Sequence, residues 1–102
     1  MIGTIGIVKI ENNKLFIGYV LNEKFHNRGL MTKIIKYFLE IIQIKYKTYD
    51  IYAEVIDGNF QSLKVLKKNN FAIMGDIMIE RQNQQVKGKL LKFNNMIVNF
   101  DV

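Results

Sequence analysis

The chain contains no cysteine and only one histidine among its 102 residues. The lack of cysteine excludes disulfide bonds, thiolate metal sites and cysteine nucleophiles, and a single histidine argues against a protein-ligated zinc site. We therefore expect no bound metal. No window approaches the ~20 consecutive apolar residues that cross a bilayer, and the start, MIGTIGIVKI, lacks the charged segment of a secretory signal. These absences predict a cytoplasmic protein without a membrane segment.

The remaining composition is that of an ordinary globular protein. Hydrophobic residues make up 49% and charged residues 24% of the chain, and no repeat or linker interrupts it. We expect residues 1–102 to form a single domain. The net charge of +6 favours a polyanionic partner, which includes nucleic acid, a membrane surface and a phosphate-rich cofactor. The sign of the charge does not choose among them.

Hydrophobic periodicity predicts five strands and two helices. Strands are expected at 4–10, 15–21, 49–57, 71–80 and 87–100, with helices at 30–46 and 59–71 and a polar loop at 81–86. Asn59 suits the N-cap of the second helix, whose apolar side is expected to carry Phe60, Leu63 and Leu66. A strand, a helix and a further strand imply one parallel crossover pair. The prediction is an α/β (α+β) fold with a mixed, mostly antiparallel sheet and two main helices.

The segment FHNRGLMTKII places Gly29 directly before the first predicted helix. Glycine lets the backbone approach a ligand closely, and the N–H groups of a first helical turn attract anions. Lys24, Arg28 and Lys33 would add positive charge around the same turn. A phosphate site is one interpretation. The other is that Gly29 only relieves crowding and that the basic residues are solvated.

Two segments together resemble the GNAT superfamily of N-acetyltransferases, especially the branch of ribosomal-protein N-terminal acetyltransferases. The family's R/Q-x-x-G-x-G/A loop is matched by HNRGLM, residues 26–31. Its later N-x-x-S pattern and helix end are matched by Asn59, Ser62, Lys68, Asn70 and Phe71. The opening IGTIGI and the dipeptide GY at 18–19 are similar to that branch as well. The resemblance covers residues 2–76.

The resemblance implies that acetyl-CoA is the cosubstrate. In the family, backbone N–H groups of the matched loop wrap the pyrophosphate, the matched strand pairs with the pantetheine arm in a gap between diverging parallel strands, and the matched asparagine points at that arm. The cofactor-binding residues implied here are Tyr19, Val20, Leu21, His26, Asn27, Arg28, Gly29, Leu30, Met31, Thr32, Asn59 and Ser62.

The same resemblance implies direct attack of a primary amine, from a protein N-terminus or a small molecule, on the thioester. Ser62 would lie near the sulfur and help the thiolate leave. Glu54 is the candidate general base, with Glu11 behind it. Leu66 stands where several relatives place a tyrosine acid, and Phe16 stands where the branch often carries a glutamate.

Relatives usually begin with a strand, two helices and another strand that this sequence lacks. We therefore expect an incomplete acceptor half and an unpaired edge on the first strand, which a homodimer would cover. A catalytically silent CoA-binding module or truncated remnant is the first alternative. The second is a basic nucleic-acid-binding protein, suggested by KYKTYDIY at 45–52, although stacking on nucleic acid requires exposed rings and we expect some of these to be buried.

Overall fold

The computed structural model describes residues 3–21 and 28–94, and residues 1–2, 22–27 and 95–102 lie outside it. The elements are β1 (Gly3–Glu11), β2 (Lys14–Leu21), α1 (Arg28–Lys45), β3 (Asp50–Ile56), α2 (Phe60–Lys68), β4 (Phe71–Arg81) and β5 (Gln84–Phe93). Their order confirms the prediction from sequence periodicity.

The strands form one five-stranded sheet in the order β1-β2-β3-β5-β4. The β2–β3 pair is parallel. The β1–β2, β3–β5 and β4–β5 pairs are antiparallel. Because α1 connects the two parallel strands, it forms the crossover that the strand-helix-strand pattern predicted. The mixed sheet with one parallel pair is confirmed.

Two-residue turns close both hairpins. Asn12 and Asn13 have φ of 50° and 62°, and Gln82 and Asn83 have φ of 52° and 62°. Consecutive left-handed residues match the right-handed twist of the flanking strands. The predicted polar loop at 81–86 is therefore wrong, since β4 continues to residue 81 and β5 begins at residue 84. Gln82 takes a left-handed position that glycine, asparagine or aspartate usually occupies, so the sequence pattern did not mark this turn.

Both described helices pack on one face of the sheet. The core comprises Leu15, Ile17, Met31, Ile35, Leu39, Ile42, Ile51, Ala53, Val55, Val65, Leu66, Phe71 and Leu91. The buried side of α1 consists of Met31, Ile35, Leu39 and Ile42. In α2, Leu66 is buried as predicted and Leu63 packs partly against the core, but Phe60 is 70% exposed and Val65 is buried instead. Phe60 is the first residue of the helix, and its side chain points away from the core.

The opposite face of the sheet, called here the open face, carries no helix among residues 3–21 and 28–94. Phe16 and Tyr52 stack there with ring centres 5.4 Å apart. Lysine ammonium groups lie over these rings, with Lys9 at 4.3 Å from the centre of Phe16 and Lys92 at 5.9 Å from that of Tyr52. Neither described helix is apolar over enough of its length to cross a bilayer.

Candidate functional site

The two parallel strands separate halfway along their length. Their pairing runs from Lys14 opposite Asp50 to Ile17 opposite Ala53 and ends there. Beyond this point β2 still pairs with β1 as far as Leu21, and β3 still pairs with β5 as far as Ile56. Each strand therefore keeps its outer neighbour while the inner ladder opens. The sheet has a gap at the carboxyl ends of its parallel strands.

A cavity of about 390 Å³ occupies this gap. Its volume falls within the range of small-molecule sites, roughly 300–1,000 Å³. It is lined by Val8, Lys9, Phe16, Ile17, Gly18, Tyr19, Ala53, Glu54, Val55, Ile56, Asn59, Ser62, Leu66, Ile79 and Arg81. The cavity therefore combines residues of β1 and of the end of β4 with the ends of β2 and β3 and the first turns of α2.

Gly18 lines the cavity on the β2 side, at a position that has no room for a side chain. A Cβ atom at this position would lie 2.9 Å from Cγ1 of Val8, which is closer than side chains normally pack. The register between β1 and β2 shifts between Ile7 and Lys9, so Val8 lies at a β-bulge. Bulges increase the local twist of a strand pair and are common beside active sites. The bulge and the glycine together shape this side of the cavity.

The Tyr19 side chain joins β2 to α2 beside the gap. Its hydroxyl donates to the backbone carbonyl oxygen of Ser62 at 3.1 Å. Burial raises the pKa of the Tyr19 phenol above its usual value, and the hydrogen bond to Ser62 opposes this in part. The phenol therefore stays neutral well into the alkaline range. The family resemblance implied a cofactor-binding role for Tyr19 and did not predict this side-chain contact with α2.

The first turn of α2 brings two predicted residues to the cavity. The Asn59 side-chain oxygen accepts from the backbone N–H of Ser62 at 3.2 Å, which confirms the predicted N-cap. Asn59 and Ser62 both line the cavity. Leu66 follows one turn later and is fully buried at 0% exposure. An apolar side chain thus fills the position at which the family resemblance implied a tyrosine acid in several relatives.

Glu54 lines the same cavity from β3, whereas Glu11 does not. Glu11 is the last residue of β1 and pairs with Lys14, beside the hairpin turn. Strand alternation places Glu54 on the open face, because its neighbours Ala53 and Val55 belong to the core on the helix face. Of the two candidate bases, only Glu54 is positioned at the cavity.

The predicted phosphate loop is described only from Arg28 onward, and His26 and Asn27 lie outside the described residues. Arg28 begins α1, and Gly29 and Leu30 are exposed in its first turn. Met31 is instead buried in the core at 2% exposure. The Thr32 backbone carbonyl accepts from the Asn69 side chain at 3.2 Å, which ties the first turn of α1 to the end of α2. Val20 and Leu21 continue β2 past the point of separation.

Lys9 and Arg81 also line the cavity, and sequence reasoning missed both. Lys9 follows the bulge in β1, and Arg81 is the last residue of β4, at the far edge of the sheet. No local motif marks either residue. They line the same cavity as Glu54 through long-range strand pairing, because Lys9 lies on β1 beside β2 and Arg81 lies on β4 beside β5.

The tyrosine rings of the segment at 45–52 pack against other side chains and are not fully exposed to solvent. Tyr46 and Tyr49 contact each other edge to face at 5.3 Å and pack against the core. Tyr52 is 9% exposed. A stacking platform for nucleic acid needs exposed rings, so this packing disfavours that interpretation. Within the described residues, no three histidine, aspartate or glutamate side chains converge on a possible metal position.

Sequence comparison identifies relatives over most of the chain. The model of the GNAT acetyltransferase domain matches residues 1–72. The probable N-acetyltransferase YjcK of Bacillus subtilis is 31% identical over 91 residues, and the match covers 86% of this chain and 49% of YjcK. The chain thus spans about half the length of this curated relative.

Solved structures share the fold. An acetyltransferase of the GNAT family from Bacillus anthracis superposes with a TM-score of 0.77 at 22% identity, covering 90% of this chain and 57% of that one. RimL, a ribosomal L7/L12 alpha-N-protein acetyltransferase in complex with coenzyme A, gives a TM-score of 0.76 at 20% identity, covering 88% and 53%. At these identities the likeness establishes the fold alone.

Proposed function

From the premise that the chain belongs to the GNAT acetyltransferase family, we propose that it transfers an acetyl group from acetyl-CoA to a primary amine, either a protein N-terminus or a small amine. The observation that carries the proposal is the gap between β2 and β3. Their pairing ends at Ile17 and Ala53, and a cavity opens there beside the first turn of α2. Such a gap suits an extended cosubstrate that reaches through the sheet toward an acceptor.

The described residues fit this cosubstrate. Gly29, at the exposed start of α1, presents no side chain that would block a phosphate group from the backbone. The strand backbone from Tyr19 to Leu21 continues beyond the parallel ladder and would take an extended arm as an added strand. We assign the remaining contacts to residues 26–32, with Asn59 and Ser62 beside the cavity. Bound acetyl-CoA would supply the acetyl group as a thioester.

The acceptor amine must lose a proton before it attacks. An amine similar to that of lysine titrates near ~10.4, so it is mostly protonated at neutral pH. Glu54 is the carboxylate at the cavity, and we assign it the removal of this proton, directly or through water. We assign Ser62 a supporting role near the sulfur. Leu66 has no proton to donate.

A second candidate function is cofactor binding without transfer. It is favoured by Leu66, which is fully buried at the position where several relatives carry a tyrosine acid. In that case acetyl-CoA would bind as proposed, and no amine would become acetylated. The two candidates share the binding step and differ only in turnover.

The first experiment is thermal unfolding with and without acetyl-CoA. A ligand at 100 times its Kd stabilises the native state by about 2.7 kcal/mol, which corresponds to about 10 °C or more for a domain of this size. Gly29→Glu should abolish the shift because it adds bulk and negative charge to the phosphate loop. Gly75→Glu is the matched control, since a Cβ at Gly75 meets no atom within 4 Å and the residue lies on the edge strand β4.

Acetyl transfer is then measured with a panel of amines by thiol release and by mass spectrometry of the acceptor. Product formation that is lost in Glu54→Gln, while the thermal shift is retained, would support the transferase. A thermal shift with no product from any amine would support the silent module. No shift at millimolar acetyl-CoA would refute the proposed cofactor site.

We further propose that residues 1–102 act as one acetyl-CoA-binding domain in the cytoplasm.

We also propose that two copies of the chain associate through β1. This strand forms one edge of the described sheet, and Val8 and Ile10 on it are 69% and 46% exposed. Exposed edges of this kind invite pairing with another strand. Sedimentation of the wild-type chain at high concentration should reveal a dimer, and a strictly monomeric profile would refute this proposal.

A further inference from the structure

The cavity has two chemically different halves. Tyr19, Ser62 and Leu66 line it from the helix face and carry no charge at neutral pH. The charged lining residues among those described are Lys9, Glu54 and Arg81. The strand registers place all three on the open face. Lys9 pairs with Phe16, which pairs with Tyr52, two residues before Glu54.

The register of β4 places the Arg81 side chain on the open face as well. Ile56 pairs with Gly88, and Gly88 pairs with Ile77. Side chains two residues apart on a strand share a face, so Glu54 and Ile56 lie together, as do Ile77, Ile79 and Arg81. The open-face half of the cavity therefore carries two cations and one carboxylate.

These three charges are available to a ligand. Lys9 lines the cavity with its ammonium over the Phe16 ring, 4.3 Å from the ring centre. Lys9, Glu54 and Arg81 are exposed, and none of them forms an ion pair within the described part of the chain, where the ion pairs join Lys89 to Asp57 and Asp76, and Lys92 to Asp50. The cavity half thus has an excess of one positive charge, and no side chain of the described residues pairs with it.

We propose that the acceptor is an amine with a carboxylate or phosphate close to its nitrogen, and that Lys9 and Arg81 bind this anionic group while Glu54 binds the amine. This inference rests on the proposed function. Glu54 is the single carboxylate among the lining residues and would pair with one amine. Lys9 and Arg81 then remain as two cations that can bind an anionic group. A polyamine would instead bring further positive charge against Lys9 and Arg81, which is unfavourable. Lys9 and Arg81 are thus specificity-determining residues that select an anionic acceptor.

The test uses the wild-type chain with three short peptides that share a free N-terminal alanine and differ in the next two residues, which are aspartates, glycines or lysines. Phosphoethanolamine is the fourth candidate acceptor and carries a phosphate group in place of the carboxylates. Equilibrium binding is measured without acetyl-CoA, and kcat/KM for acetyl transfer is measured with it. We expect the acidic peptide to bind and react best and the basic peptide worst.

The variants are Lys9→Gln, Arg81→Gln and the double substitution. Exposed charge pairs contribute modestly, so each single variant should lower the preference for acidic over neutral peptide about two- to fivefold, and the double variant about tenfold. Lys36→Gln is the matched control, because it removes the same charge from an exposed position of α1 on the other face of the sheet. The Lys36→Gln variant should prefer the acidic over the neutral peptide to the same degree as the wild type. Unfolding temperatures are measured to check that all variants fold.

The outcomes separate the two proposals. Equal or better use of the basic peptide, or an acidic preference unchanged in the double variant, would overturn the charge selection and leave the transferase intact. Acidic binding that depends on Lys9 and Arg81, without acetylation of any peptide, would support the charge selection and refute the transferase. Phosphoethanolamine preferred over the acidic peptide would assign the anion as phosphate, and the reverse order would assign it as carboxylate. No binding and no transfer would refute both.

Discussion

The hydrogen bond from the Tyr19 hydroxyl to the Ser62 backbone carbonyl oxygen, at 3.1 Å, can be tested directly by mutation. It joins β2 to α2 beside the gap, across 43 residues of sequence. Tyr19→Phe removes only the hydroxyl group and keeps the ring. A neutral hydrogen bond contributes about 0.5–1.5 kcal/mol net, so we expect the variant to lose about 1 kcal/mol of unfolding free energy. For a domain of this size the unfolding temperature should fall by roughly 4–8 °C.

The pH dependence of this difference provides a second check. Burial raises the pKa of Tyr19 in the folded state above the unfolded value of about 10. The folded state therefore binds more protons in the window above pH 10, and stability falls there as pH rises. The stability that Tyr19 contributes should be fully present below pH 10 and lost as pH rises through its folded pKa. The difference between wild type and Tyr19→Phe should accordingly be constant from pH 6 to 9 and shrink at higher pH.

Tyr37→Phe is the matched control. Tyr37 lies on the outer face of α1 and is 69% exposed, so loss of its hydroxyl should change stability by less than about 0.5 kcal/mol. Chemical denaturation at several pH values, with circular dichroism as the probe, measures all three proteins. Equal stability of Tyr19→Phe and wild type at pH 7 would refute the contribution assigned to this hydrogen bond.

Three further substitutions test the packing around the site. Gly88→Ala should cost about 1–3 kcal/mol, because its Cβ would lie 2.6 Å from the Val55 carbonyl oxygen and would also collide with Ile79 Cδ1. Equal loss in Gly75→Ala, where the space is open, would contradict this reason. Asn59→Ala should lower stability by about 1 kcal/mol through loss of the N-cap, and Asn59→Asp should restore it in denaturation experiments. Leu66→Ala should cost about 2–5 kcal/mol in the same assay, because Leu66 is fully buried, and a loss below 1 kcal/mol would contradict its place in the core.

Most of the fold was predictable because its signals are local. The apolar stripe of α1 repeats with the helical period, and alternating apolar residues mark the strands. Asn59 at the start of α2 was recognisable because N-caps favour this residue type. The errors also have local causes. Gln82 takes a turn position that glycine, asparagine or aspartate usually occupies. Phe60 fits the helical stripe, although its position as the first residue of α2 leaves it exposed.

The candidate site was predictable only in part. The cavity is lined by Asn59 and Ser62, which the family resemblance named, and by Glu54, which we chose as candidate base from its position on the crossover strand. The roles of these residues stay predictions. Lys9 and Arg81 could not have been found from the sequence, because each is a charged residue at a strand position with no motif around it. That both line one cavity depends on a bulge in β1 and on the order of strands in the sheet.

The sequence by itself determined the order of elements, the crossover between parallel strands and the family. These follow from periodicity and from short motifs, which depend on interactions between residues close in the chain. The tertiary structure alone decided where the parallel ladder ends, which side chain of β2 reaches α2, and which charges meet at the cavity. Those features depend on register and twist between strands distant in sequence, and one residue of shift would move every side chain to the other face.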